Sequence, residues 1–212
     1  SVTPSSTAGS STLCHFDPLP QDLLLAVLSF TSMRNWALCC AVSTQFRDAV
    51  AVLLRTLQRI NINCVTIEEV HVPLLCYMLS RPLPALLAVN VSGLATVTTS
   101  CARSLFHALG NASGKPAMTT LALDDAQMLD SKMLAQIAAA CPKLTSLRLL
   151  NCSRLESTAF SEPRTTALAS RLEDFALTHA FRVPEDELIK FIGQSTNLRS
   201  LSVSSCQHIS DD

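Results

Sequence analysis

The sequence has no dense run of Lys or Arg, and its formal net charge is −1. This argues against a nucleic-acid footprint, which needs clustered cations to displace the counterions of a phosphate backbone. It has no stretch of about 18 uncharged apolar residues, so no membrane-spanning helix is expected. It has nine cysteines but no Cys-x-x-Cys pair. The spacing does not suit a zinc site, and an odd count does not suit a closed disulfide framework. Reduced thiols packed as small apolar residues, in a cytoplasmic or nuclear protein, are the expectation. Residues 1–15 hold many Ser and Thr but no hydrophobic signal core, and read as a flexible leader. No Met precedes Ser1, and a longer natural chain is expected.

What the sequence does have is apolar material, 48% of 212 residues against 16% charged. That suffices for a sizeable core in one elongated domain or two small ones. The apolar residues recur in a pattern. A large apolar residue is followed by another three positions on and a third five positions on. Leu86, Val89 and Val91 fit, then Met118, Leu121 and Leu123, then Leu144, Leu147 and Leu149. Leu172, Phe175 and Leu177 follow, and Leu198, Leu201 and Val203 close the series. The starts lie 32, 26, 28 and 26 residues apart. Alternation over the last three positions predicts a strand with its apolar side chains on one face.

The pattern extends beyond the strand. Eleven residues after each start stand Val97, Leu129, Leu155, Val183 and Ile209. Two further on, Thr99, Ser131, Ser157, Glu185 and Asp211 suit a helix start. Ala102, Leu134, Phe160 and Leu188, sixteen after their starts, are expected to rest a helix on the strand layer. Leu57, Ile60 and Ile62 form a possible sixth copy, but Glu68 occupies its later apolar slot. Residues 58–85 are therefore read as a linker or a degenerate first repeat. One such unit cannot bury its own apolar face, whereas stacked neighbours bury a continuous core.

The repeats resemble the leucine-rich repeat family, in its cysteine-containing form. One copy runs Cys141, Pro142, Lys143, Leu144, Leu147, Leu149, Asn151, Cys152. The last runs Leu198, Leu201, Val203, Cys206, Ile209, Ser210, Asp211. Ala126 and Ala180 depart from the family's turn cysteine, and Ala169 and Ser195 from its helix-end cysteine. The resemblance covers residues 86–212 and implies an α/β fold, a curved solenoid of parallel strands and helices. The last copy stops at Asp212 without a polar cap, so further repeats or an atypical cap are expected. Between the inward residues, the strands would turn a row of small polar side chains outward. Thr120, Asp124, Ser146, Arg148, Leu150, Asp174 and Thr178 are its candidate protein-binding residues.

Residues 16–57 differ in character. Pro18 and Pro20 precede an apolar segment with Leu23, Leu24, Val27, Leu28 and Phe30, which predicts a short helix. Ser32 can cap a second helix carrying Trp36, Leu38 and Cys39, and Ser43 a third with Phe46, Val50, Leu53, Leu54 and Leu57. The positions Leu19-Pro20-x-Asp22-Leu23-Leu24, Val27-Leu28-Ser29-Phe30, Leu38 and Val42-Ser43-x-x-Phe46-Arg47 resemble the F-box. Thr31 and Ser43 depart from its usual apolar residue and cysteine. The resemblance implies that Leu19, Pro20, Leu23, Leu24, Val27, Leu28, Phe30, Val42 and Phe46 dock a Skp-family adaptor, which links to a cullin–RING ubiquitin ligase. The repeats would then hold a substrate protein. The alternative is a repeat scaffold whose helical start is only a cap, with no ubiquitin role.

No constellation indicates an enzyme or a cofactor. Gly110, Gly114 and Lys115 have the wrong spacing for a phosphate loop, and Pro116 follows the Lys. Cys206 beside His208 falls at a buried turn position of the repeat, where a packed thiol is expected. The pairs Asp124-Asp125 and Asp211-Asp212 are adjacent, and neighbours in extended backbone face opposite ways.

Overall fold

The computed structural model describes residues 20–29, 33–63, 73, 76, 79–81, 83–110 and 117–206. Leu19, Phe30, Ser32, Glu68, His208, Ile209 and Asp211, and the leader expected over 1–15, lie outside these residues. Val42 lies within a helix, but its side chain is outside the description.

The described residues open with three short helices, α1 (Gln21–Ser29), α2 (Met33–Val42) and α3 (Thr44–Thr56). Strand β1 (Arg59–Asn63) and strand β2 (Ala88–Ser92) follow. Helices and strands then alternate: α4 (Thr99–Leu109), β3 (Thr120–Leu123), α5 (Ser131–Ala140), β4 (Ser146–Leu149). The series ends with α6 (Pro163–Ala169), β5 (Asp174–Thr178), α7 (Glu185–Gly193) and β6 (Ser200–Ser204). All six strands are parallel and lie in one sheet in chain order. The architecture is α/β.

The register follows the apolar pattern residue for residue. Ile60, Val89, Leu121, Leu147, Phe175 and Leu201 stand in one row across the sheet. Ile62, Val91, Leu123, Leu149, Leu177 and Val203 form the next. The Leu57 copy, set apart by Glu68, thus supplies the first strand, with Ile60 and Ile62 buried. Ahead of the strands runs a backbone ladder. The N–H groups of Leu87, Thr119, Thr145, Glu173 and Arg199 donate to the carbonyls of Gln58, Leu87, Thr119, Thr145 and Glu173 at 2.7–2.9 Å. Behind strands β2 to β6 the backbone turns through positive φ at Gly93 (69°), Asp125 (59°), Asn151 (56°), His179 (54°) and Ser205 (53°). Only glycine enters this region without a steric cost. Asn151 recovers part of it by donating from Nδ2 to Oδ1 of Asp125 at 3.2 Å.

The core fills from both layers. Ala102, Leu134, Phe160 and Leu188 are all buried, as their spacing predicts. So are Ala126 and Ala180, and likewise Ala169 and Ser195. Ser195 satisfies its buried hydroxyl by donating to the Phe191 carbonyl at 3.0 Å. Phe160, Phe175 and Phe191 meet with centroids 4.7–5.9 Å apart and their rings tilted or edge-on, which suits aromatic quadrupoles.

Thr99, Ser131 and Glu185 open their helices as expected, with the cap positions one earlier, at Thr98, Asp130 and Pro184. Asp130 caps α5 by accepting from the Met133 N–H at 2.8 Å, because an aspartate carboxylate reaches the third amide of a helix. Ser157 opens only a 3-10 turn, and α6 begins six residues later at Pro163. Proline is pre-set for a first turn and would break an interior one, so Glu162 takes the cap position. Ser43 does stand at the start of α3, but its hydroxyl makes no capping bond.

Candidate functional site

Two surfaces carry the residues that the sequence singles out. The first is the helical module. In α1, Leu24 and Leu28 are one turn apart and both buried, while Leu23 and Val27 are 49% and 51% exposed. An apolar residue on each side of a nine-residue helix leaves it hydrophobic toward solvent as well as toward the core. Trp36 fixes α2 against α1: its indole N–H donates to the Leu28 carbonyl at 2.7 Å, satisfying one of the carbonyls that a helix end leaves open. With Trp36 and Cys40 turned inward, Leu38 is left 45% exposed. Arg47 Nε then donates to the Cys40 carbonyl at 3.1 Å, tying the start of α3 to the end of α2. Pro20 is exposed and Phe46 is half-buried against the core. The helical module and the sheet share a contiguous core.

Of the expected docking residues, Leu24 and Leu28 are thus turned into the core. Leu38 carries outward apolar surface that the candidate set leaves out. The available signal was its position two residues from Trp36, which puts the two side chains on different sides of a helix.

The second surface is the sheet face opposite the core. Along β3 and β4 the pattern alternates, with Leu121, Leu123, Leu147 and Leu149 buried and Thr120, Ala122, Ser146 and Arg148 more exposed. This face dips into a cleft of about 560 Å³ between β4, β5 and β6. Ser146, Arg148, Leu150, Asp174 and Thr178 all line it. Thr120 and Asp124 do not; they stand on β3 and just past its end. Ser200 and Ser202 do line it, which their place in the outward row made legible. Thr178 is already engaged, its hydroxyl accepting from the Asn151 N–H at 3.0 Å. Arg148 and Asp174 make no side-chain hydrogen bond or ion pair among the described residues.

The thiols of Cys152, Cys76 and Cys206 are poor nucleophiles. Burial, then the neighbouring Cys206 and Asp124, push the Cys152 thiol up to about 12. Burial, then Cys101, push Cys76 up to about 11, despite a backbone hydrogen bond that opposes the shift. Burial also raises Cys206, whose Sγ lies 3.6 Å from the Ser204 carbonyl. Such groups stay protonated near neutrality, where only the thiolate would react. Among the described residues no group of three or more His, Cys, Asp or Glu is arranged to hold a metal ion. Nor is any described helix long and apolar enough to cross a membrane.

No family model and no curated protein matches this sequence. Among solved structures it is similar to the tropomodulin C-terminal domain of Caenorhabditis elegans. The identity is 16%, the match covers 63% of this chain and 82% of that one, and the TM-score is 0.47.

Proposed function

We propose that this chain is a substrate adaptor of a Skp–cullin–F-box ubiquitin ligase, built as an F-box module followed by a curved leucine-rich repeat solenoid. The helical module docks a Skp-family adaptor, and the outward sheet face holds a substrate protein. The chain then performs no chemistry. It raises the effective concentration of substrate lysines near the ubiquitin-loaded enzyme.

The observation that supports this reading is the outward apolar set Leu23, Val27 and Leu38 on helices whose other side already fills the core. Three short helices that served only to close off a core would gain nothing from apolar residues facing water. A specific observation favours a second reading: the contiguous core joining the helices to the sheet is what a simple cap would produce. In that reading the chain is a repeat scaffold without a ubiquitin role.

Co-purification with a Skp-family adaptor separates the two. The full chain should retain the adaptor, while Val27→Asp, or Leu23→Asp, should lose it with an unchanged circular dichroism spectrum. Changing Leu19 and Pro20 together to Ala should also abolish retention. Retention that survives all three changes, or never occurs with the full chain, leaves the scaffold reading.

A further inference from the structure

We infer that the cleft over β4 and β5 takes an extended protein segment carrying a carboxylate side chain, with an apolar residue two positions away. The inference rests on the docking role proposed above for this face and names the chemistry of what docks there.

Arg148 is exposed, lines the cleft, and has no ion pair or hydrogen bond from its side chain among the described residues. Beside it the lining carries the short side chains of Ser146, Ala176, Ser200 and Ser202. Short side chains let a second backbone approach, and a guanidinium there binds a carboxylate through two parallel hydrogen bonds. Asp174 is the other charge in the cleft, so the lining is bipolar rather than simply basic.

Spacing then sets the pattern. Along a strand, same-face residues recur roughly every 6.6 Å, twice the rise per residue. Leu150 stands two residues beyond Arg148. Asp174 lies on the neighbouring strand opposite Ser146, two residues before Arg148. An extended segment running along β4 has the same period of two. Its same-face side chains therefore meet Asp174, Arg148 and Leu150 in turn, as a cation, a carboxylate and an apolar residue at alternate positions. Leu150 is half-buried and supplies the apolar contact that a shallow polar face otherwise lacks.

The test uses the full chain and fluorescently labelled peptides, without any adaptor protein. The probes are Lys-Ser-Glu-Ser-Leu and the reversed order, each flanked by Gly and Ser, and versions with Gln, Lys or phosphoserine at the centre. The Glu peptide in one order should bind, and its Gln version about tenfold more weakly, as losing one charge-assisted pair implies. Arg148→Gln should weaken the Glu peptide to the level of the Gln peptide and leave the Gln peptide unchanged. Arg148→Glu should move the preference to the Lys-centred peptide. Equal affinity for Glu and Gln, indifference to Arg148→Gln, or no binding at millimolar peptide would overturn the inference. Phosphoserine binding tenfold tighter than Glu would also overturn it, assigning the cleft to phosphorylated segments. Because no adaptor takes part, failure here leaves the adaptor experiment on α1 untouched.

Discussion

Leu147 and Leu201 hold the same place in the pattern and the same row of the sheet, yet Leu147 is 1% exposed and Leu201 is 48% exposed. The strands that carry them have the same alternation. They differ in company: β4 pairs on both sides, whereas β6 pairs only with β5 among the described residues. Periodicity in a sequence specifies which face a side chain occupies. How deeply that face is buried is a property of the neighbours, and no window of the sequence around Leu201 contains it.

The largest expected effect tests this contrast directly. Leu147→Ala should cost about 2–5 kcal/mol in denaturant unfolding, the range for truncating a buried leucine. Leu201→Ala should cost less than about 1 kcal/mol, because about half its surface already meets water. Equal costs would mean that β6 is covered in solution and that the contrast between the two strands is lost.

A second expectation concerns pH. The Cys152 thiol is raised by burial from its ordinary 9.0 to about 12. The folded state therefore holds this proton more tightly than the unfolded state. Its contribution to stability is complete below about pH 9 and drains away as pH climbs towards about 12. Unfolding free energy measured across that window should fall more steeply for the natural chain than for Cys152→Ala. Parallel curves would place the thiol in a wetter site than its burial implies.

The inner and outer sides of one strand offer a finer contrast. Ser146→Ala, beside Leu147 but on the cleft side, should cost under about 0.5 kcal/mol, since its hydroxyl makes no hydrogen bond among the described residues. A cost as large as that of Leu147→Ala would signal a register one residue off, which exchanges core and surface along the whole strand.

The smallest effect should be a gain. His179 sits at positive φ in the row where Asn151 donates back to the preceding turn. His179→Asn should raise stability by about 0.5 kcal/mol, since asparagine tolerates this backbone region and can repeat the bond towards Asn151. A loss would show that the ring contact of His179 with Phe181, at 5.6 Å, outweighs the backbone relief.

The legible and illegible parts of this chain divide on similar lines. Strand positions could be read because each is written several times over, so an ambiguous copy is corrected by its neighbours. Ile60 and Ile62 illustrate this: on their own they are two isoleucines before a misplaced Glu68, yet in register they are the first strand. Helix starts are written once each and depend on local chemistry. Periodic counting put α6 at Ser157, while the sequence Glu162-Pro163 already carried the information that the helix begins there. In the helical module, apolar identity alone could not sort Leu24 from Leu23, because α1 presents leucine to both sides. The cleft was half legible. The alternation predicted the outward row, while the place of the cleft over β4 to β6, with Thr120 and Asp124 outside it, is seen only in the structure.

The shared register has a consequence for how such a chain can change. Leu121 faces Leu147 as Leu147 faces Phe175, so every junction between neighbouring strands matches the same positions. Removing the 26 residues from 122 to 147 would bring β2 beside a strand that meets it at equivalent positions. Removing 25 or 27 would put alternate residues on the wrong face. A change of length by one whole strand-to-strand interval therefore keeps the register, while a one-residue change within a strand exchanges its two faces. The starts lie 32, 26, 28 and 26 residues apart, so the differences in length fall between the strands and leave their register unchanged.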